Sequence, residues 1–244
     1  LHHAGNNAVA EDDRVGPPRH LQWKNGPMWC RSHEFASSVH TLISADGRLI
    51  GVFDEGIIGQ PRGVPAIWTL IARDAFNGKL LWRLPCDRIN PHALAGGNNR
   101  VYVTLKSRGP LLILDAATGE TLHECKETGR VDEVALSGGV VLLSTHLTGF
   151  EGASGRHLVA ASPDNGSILW KQPAEGMSRN AMVAGQGRVC YVDPQAGALV
   201  CLSIDDGKEQ WRTELKNSKV RYAVLYSGVV FLTGGSTRAY SLDS

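Results

Sequence analysis

The chain has almost no net charge. Its 25 Lys and Arg residues balance 24 Asp and Glu residues, leaving a formal charge of +1 with histidine neutral. That excludes the one-sign field that draws nucleic acid or an anionic membrane surface. It has no apolar run of 18 residues, which excludes a transmembrane helix. No basic-then-apolar leader precedes the body of the chain, which opens at Leu1. A signal peptide already removed and a start inside a longer gene both account for that opening. Cysteine is sparse: Cys30, Cys86, Cys125, Cys190 and Cys201 form no C-x-x-C, which excludes zinc-finger and haem-attachment readings. No P-loop, G-x-G-x-x-G or Ser-His-Asp order is present. Neither Asn6-Asn7-Ala8 nor Asn165-Gly166-Ser167 makes a glycosylation sequon. No amphipathic helical stretch of useful length appears either.

What remains is a 244-residue chain, 42% hydrophobic and 20% charged, long enough to bury a substantial core. Glycine is plentiful, at 28 residues without a collagen period, and belongs in turns. One segment recurs. It runs from Ala72 through Asp74, Asn77 and Gly78 to Trp82, then from Leu114 through Asp115, Thr118 and Gly119 to His123. It returns from Ala161 through Asn165 and Gly166 to Trp170, and from Leu202 through Asp206 and Gly207 to Trp211. The glycines are spaced 41, 47 and 41 residues apart. Each copy brings in an apolar strand, turns on a pair such as Asn-Gly or Asp-Gly, and leaves on a second strand. Trp stands four residues after the Gly in three copies, and His123 in the fourth.

A further hairpin precedes each copy, as in Thr41–Phe53 around Asp46-Gly47 and Val134–Leu143 around Gly138-Gly139. Four short strands per unit of about 40–45 residues is the period of a propeller blade. The expected fold is all-β: a β-propeller of four-stranded blades in one domain, 1–244. The blade units are 40–84, 92–125, 132–172, 180–213 and 220–242, with 19–24 a lone outer strand ending near Trp23. A β-sandwich also has many short strands, but does not require a fixed period with Trp at one phase. Cys190 and Cys201 fall on strands joined by the turn Asp193–Gly197, so they can face each other; the simpler reading is two small apolar core residues.

The Ala72–Trp82 segment resembles the tryptophan-docking motif of the quinoprotein-type, PQQ-like propellers, Ala-x-Asp-x-x-Thr-Gly-x-x-x-Trp, with Asn77 in place of Thr. The resemblance covers nearly the whole chain. It implies that Trp82, Trp170 and Trp211 clamp one blade to the next and bind no cofactor. Asp74, Gly78, Asp115, Gly119, Gly166 and Gly207 would then build the turns, and His123 leaves the second blade less tightly held. The family usually has seven or eight blades, so the chain reads as part of such a ring or as a five-bladed one closed by its first strand. Asp243 matches Asp74 in this alignment, which places the following motif Gly near position 247.

The opening, His2 to Asn7, and Val15–Trp23 resemble the secreted PQQ-like propellers of planctomycete-type bacteria. A related group is the propeller lipoprotein of the outer-membrane barrel assembly machinery. The resemblance implies a non-catalytic scaffold or binding module in the periplasm or cell envelope of a bacterium, with a protein or saccharide partner and no nucleic acid. The alternative is a fragment of a PQQ-dependent alcohol or sugar dehydrogenase, carrying pyrroloquinoline quinone and calcium. The adjacent cysteines often seen in that class are missing, so no cofactor and no catalytic residue is expected. Function in propellers sits on loops at one mouth. Three loops are long: Asn25–Val39 with Trp29, Arg31, His33 and Glu34; Asp54–Trp68 with Asp54, Glu55 and Arg62; and His146–Arg156. Their Arg, His and carboxylate side chains are candidates for binding an anionic sugar or a peptide; the plainer reading is solvated loop charge.

Overall fold

The computed structural model describes residues 21–23, 39–55, 66–147, 155–215, 220–234 and 237–243. Blade 1 is β1 (Val39–Ala45), β2 (Arg48–Asp54), β3 (Trp68–Asp74) and β4 (Leu80–Pro85). Blade 2 is β5 (Leu94–Gly97), β6 (Arg100–Val103), β7 (Leu111–Asp115) and β8 (Thr121–Cys125). A single 3-10 turn, Lys126–Thr128, leads into blade 3: β9 (Arg130–Ser137), β10 (Val140–His146), β11 (Arg156–Ala161) and β12 (Ile168–Pro173). Blade 4 is β13 (Met182–Gly185), β14 (Arg188–Asp193), β15 (Ala198–Ser203) and β16 (Glu209–Glu214). Blade 5 shows β17 (Val220–Tyr226), β18 (Val229–Gly234) and β19 (Arg238–Ser241) among the described residues. Every sheet is an antiparallel meander in sequence order, and the innermost strands β1, β5, β9, β13 and β17 stand side by side in turn. The chain is a β-propeller of four-stranded blades. No helix among the described residues is long and apolar enough to cross a membrane.

Burial follows from blades 2, 3 and 4 each having a blade on both faces. Their middle strands are buried on both sides: β11 is buried from end to end, including Arg156 and His157. The outer strands are more exposed because their far edge meets water, and β12 alternates along its length. The inner hairpins turn on two residues with positive φ, such as Asp46-Gly47 (48° and 72°) and Gln186-Gly187 (51° and 74°). These are the turns that match strand twist.

The recurring outer turn has one hydrogen-bond pattern in four blades. Asp74, Asp115, Ser162 and Ser203 each donate N–H to the residue five positions on, and accept from the Gly four positions on. In blades 1 and 2 the aspartate Oδ1 accepts two further turn N–H groups. In blades 3 and 4 a serine Oγ accepts one, from Asp164 and Asp205. Ser241 Oγ accepts from Asp243 N in the same way. Ser241 therefore takes the place of Asp74, two residues earlier than the alignment on Asp243 implied. The lone aspartate there misleads because a serine side chain caps the same turn.

The glycine closing each turn has φ between +70° and +77°. It also supports the preceding blade. A Cβ at Gly78, Gly119 or Gly207 would fall 2.5–2.7 Å from the ring of Trp23, Trp82 or Trp170. The indole N–H then reaches the carbonyl three residues before the glycine. Trp23 donates to Ala75 at 3.0 Å, Trp82 to Ala116 at 2.9 Å and Trp170 to Ile204 at 2.6 Å. Trp211 donates to Leu242 at 2.9 Å in the same geometry. Residues 21–23, which form no strand, thus clamp onto blade 1 through Trp23.

Between blades 2 and 3 the clamp is built from other parts. His123 is exposed, and Cys125 occupies the space over Gly166, its thiol donating to Asn165 O at 3.6 Å. The equivalent carbonyl, that of Pro163, accepts from Arg100 Nη1 at 2.5 Å and from the Tyr102 hydroxyl at 3.3 Å. Arg100 also pairs with Asp164 at 2.8 Å. The missing indole is replaced, so the carbonyl keeps its donor.

Candidate functional site

The links between blades and the loops between second and third strands meet at one mouth. There, one open pocket of about 560 Å³ draws on blades 1 to 3 and on the links that follow blades 1 and 3. His40 at the start of β1, Arg88–Pro91 in the β4–β5 link and Ser107-Arg108 in the β6–β7 loop form one side. Val131-Asp132 at the start of β9 and Arg179-Asn180 in the β12–β13 link form the other.

Asp132 is aimed there by a bulge. Ser144 of β10 pairs with Glu133 and Thr145 with Val131, so Asp132 is the extra residue. Its side chain is only 5% exposed, and Oδ2 accepts from Arg156 Nη2 at 2.8 Å. His146 Nε2 lies 3.4 Å from the same oxygen and Arg108 Nε 3.7 Å from Oδ1. Arg156 donates its other arm to Met177 O at 3.0 Å. A buried ion pair holds together only when its remaining donors are satisfied, as here. Burial, and then the nearby Arg156, push the His146 imidazole below its usual range, although Asp132 opposes this.

Glu133, next in sequence, is buried and accepts the Asn180 N–H at 2.7 Å. Burial pushes its carboxyl up to about 7, against the Asn180 hydrogen bond and the Arg156 charge. Asn180 and Arg108 both hold left-handed backbone, with φ of 60° and 55°. Such conformations cost energy and collect at working sites. The Asn180 Oδ1 atom is buried without a hydrogen-bond partner.

Across the pocket, the His40 ring nitrogen Nε2 lies 2.7 Å from Ile89 O. Burial lowers the His40 pKa, the Ile89 bond opposes that, and Arg88 adds to the lowering. A carbonyl only accepts, so the His40 Nε2–H donates to Ile89 O. The Arg88 guanidinium stands 5.7 Å from the centre of the Trp68 ring, against which His40 also tilts at 5.3 Å. Trp68 thus orients Arg88 by a cation–π contact.

The lining of this mouth is rich in arginine, which suits it chemically to hold an anion. Arg88, Arg108 and Arg179 line one cavity, with Arg108 also paired to Asp132, the one carboxylate among its described lining residues. Planar guanidinium forks suit carboxylates and phosphates. Calcium, implied by the dehydrogenase alternative, needs six to eight oxygen ligands. Asp132 is already engaged by Arg156 and flanked by Arg108, so the described residues of the mouth do not fit that ion.

Of the candidates read from sequence, Trp29, Arg31, His33, Glu34 and Arg62 lie outside the described residues. Asp54 is buried and accepts Ile67 N at 3.1 Å, tying the base of its loop. Glu55 pairs with Arg83 at 2.5 Å. Neither Asp54 nor Glu55 lines the mouth pocket. Of the long loop His146–Arg156, residues 148–154 lie outside the described residues; its two end residues, at the ends of β10 and β11, reach Asp132 but do not line the pocket. Sequence reading missed Arg88, Arg108 and Arg179. They sit in short links far apart along the chain, and only their shared place between blades marks them.

The family model described as outer membrane protein assembly factor BamB matches residues 67–173 and 154–244. The chain belongs to that family. It is a PQQ-like propeller related to BamB. BamB from Moraxella catarrhalis has a similar fold, at 12% identity over 83% of this chain and 60% of that one, with a TM-score of 0.54. So does a europium-containing methanol dehydrogenase, at 14% identity over 91% of this chain and 53% of that one, with a TM-score of 0.56. The quinohemoprotein alcohol dehydrogenase from Comamonas testosteroni matches at 16% identity, over 82% and 42%, with a TM-score of 0.51. This BamB-family chain thus spans 42–60% of the length of those three proteins. Identities this low establish shared fold alone. No curated protein matches it in sequence.

Proposed function

We propose that this chain is a non-catalytic binding module of the bacterial cell envelope whose mouth receives an acidic segment of a protein partner. The observation that carries the reading is the convergence of Arg88, Arg108 and Arg179 on one open pocket whose only described carboxylate is neutralised by Arg156. Membership of a family described as an outer membrane protein assembly factor supports a protein partner and an envelope location. A partner carboxylate entering the mouth meets guanidinium forks, one of them fixed on Trp68. The wide opening admits a chain segment rather than enclosing a small molecule. Most interactions would be rim-like, so affinity depends on salt.

The test is calorimetric titration of the protein with a short glutamate-rich peptide, a uronate oligosaccharide, and pyrroloquinoline quinone with calcium. Saturable peptide binding that weakens with salt and falls at least tenfold in an Arg88→Gln/Arg108→Gln/Arg179→Gln variant supports the reading. Preference for the uronate moves the partner from protein to saccharide. Tight quinone binding with dye reduction by alcohols or sugars overturns it in favour of a dehydrogenase fragment.

A further inference from the structure

The cross-strand pairing of blade 4 sets two cysteines against each other. Cys190 on β14 pairs directly with Cys201 on β15, and these are the two central strands of the sheet. The row continues to Val183 on one side and Trp211 on the other. Both cysteines are buried, at 1% and 0% exposure, in the cluster that joins blade 4 to blade 5. The corresponding central pairs elsewhere are Ile50 with Ala72, Tyr102 with Ile113, and Leu142 with Ala160. Each of those sets a large side chain against a smaller one or fills the row with two large ones. Blade 4 alone uses two thiols.

We infer that Cys190 and Cys201 are the two halves of a cross-strand disulfide that locks the centre of blade 4 beside the Trp211 clamp. Directly opposed residues of antiparallel strands have Cα atoms about 4.5–5.5 Å apart, inside the range of about 4.4–6.8 Å that a disulfide spans. Both are free thiols, close enough to perturb each other, which lowers the Cys201 pKa and raises that of Cys190. Cys201 is thus the better nucleophile. Its thiolate attacks a small disulfide oxidant such as glutathione disulfide, breaking the S–S bond and releasing one glutathione thiolate. The Cys190 thiolate then attacks the mixed disulfide and displaces the second. Two protein thiols become one disulfide, the oxidant becomes two thiols, and the two protons pass to them. Because both sulfurs are buried, the exchange takes place before blade 5 covers them.

The test is refolding of the full chain in a glutathione redox buffer, followed by alkylation of free thiols and peptide mapping. The expected result is a crosslink between the peptides holding Cys190 and Cys201, with Cys30, Cys86 and Cys125 still alkylated. The crosslinked protein melts about 6–12 °C higher than the reduced form. Cys201→Ala removes both the crosslink and the shift. Alkylation of both Cys190 and Cys201 after oxidative refolding overturns the inference, as does pairing of either with Cys30, Cys86 or Cys125. The map uses the unaltered chain, so a folding defect in the variant does not affect it.

Discussion

The indole of Trp82 lies on Gly119 of the next blade, where a Cβ would stand 2.7 Å from the ring, and its Nε1 donates to Ala116 O. One residue supplies the ring, the next blade supplies both the gap and the acceptor, and a positive φ of 77° keeps that gap free of a side chain. The same relation joins Trp23 to Gly78 and Trp170 to Gly207.

Trp82 is 7% exposed. Replacing it with Ala opens a cavity between two blades and strands the Ala116 carbonyl, for a loss of about 3–5 kcal/mol. His123 occupies the same phase of its blade but is exposed and has handed its place to Cys125. His123→Ala is expected to change stability by less than about 0.5 kcal/mol. Urea unfolding of both variants checks the contrast.

At the junction without an indole, Arg100 and Tyr102 hold the Pro163 carbonyl. Arg100→Met keeps the stem and removes the charged donor. Its expected cost is about 1–2 kcal/mol, read from the same unfolding curves, with Tyr102 left as the remaining donor.

These contrasts show what the sequence carries and what it hides. The Gly-to-Trp phase of Trp82, Trp170 and Trp211 is local, within five residues, so the clamps and the blade period are legible. The substitute clamp is not, because Arg100 meets Pro163 only after two strands have paired in register. The mouth is harder still. Arg88, Arg108 and Arg179 belong to three different connections, and no spacing rule joins them. Asp132 depends on a bulge that alternation does not announce. Asp54 looks like a binding residue because it opens a long loop, whereas its hydrogen bond to Ile67 N closes the base of that loop.

Arg156 is expected to be the costliest single residue of the mouth to lose. Arg156→Ala leaves the buried Asp132 carboxylate without its 2.8 Å partner, for about 3–5 kcal/mol. Replacing Asp132 and Arg156 together with Leu recovers much of that loss, since no unpaired charge remains. A double-mutant cycle measures the recovery.

Glu133 gives stability a pH dependence. Its folded pKa of about 7 lies above the ordinary 4.5, so the folded state holds the proton more tightly than the unfolded one. The protein is thus at its best, as far as this group goes, below the unfolded value. Stability then falls as pH rises from 4.5 to 7 and levels off above, by about 3 kcal/mol in all. Glu133→Gln keeps an acceptor for the Asn180 N–H and removes the titration. The variant is expected to match the parent in acid and exceed it above pH 7, with the gap traced by melting across that range.

The most direct measurement of the central claim is the affinity of the mouth for a glutamate-rich peptide in the parent protein and in Arg88→Gln, Arg108→Gln and Arg179→Gln singly, at low and moderate salt. The three residues line one cavity from two interblade links and the β6–β7 loop. Each single variant is expected to weaken binding several-fold and to flatten its salt dependence, while thermal unfolding stays near that of the parent. Unchanged affinity in all three variants, or binding indifferent to salt, would contradict the claim that this mouth is built for an acidic partner.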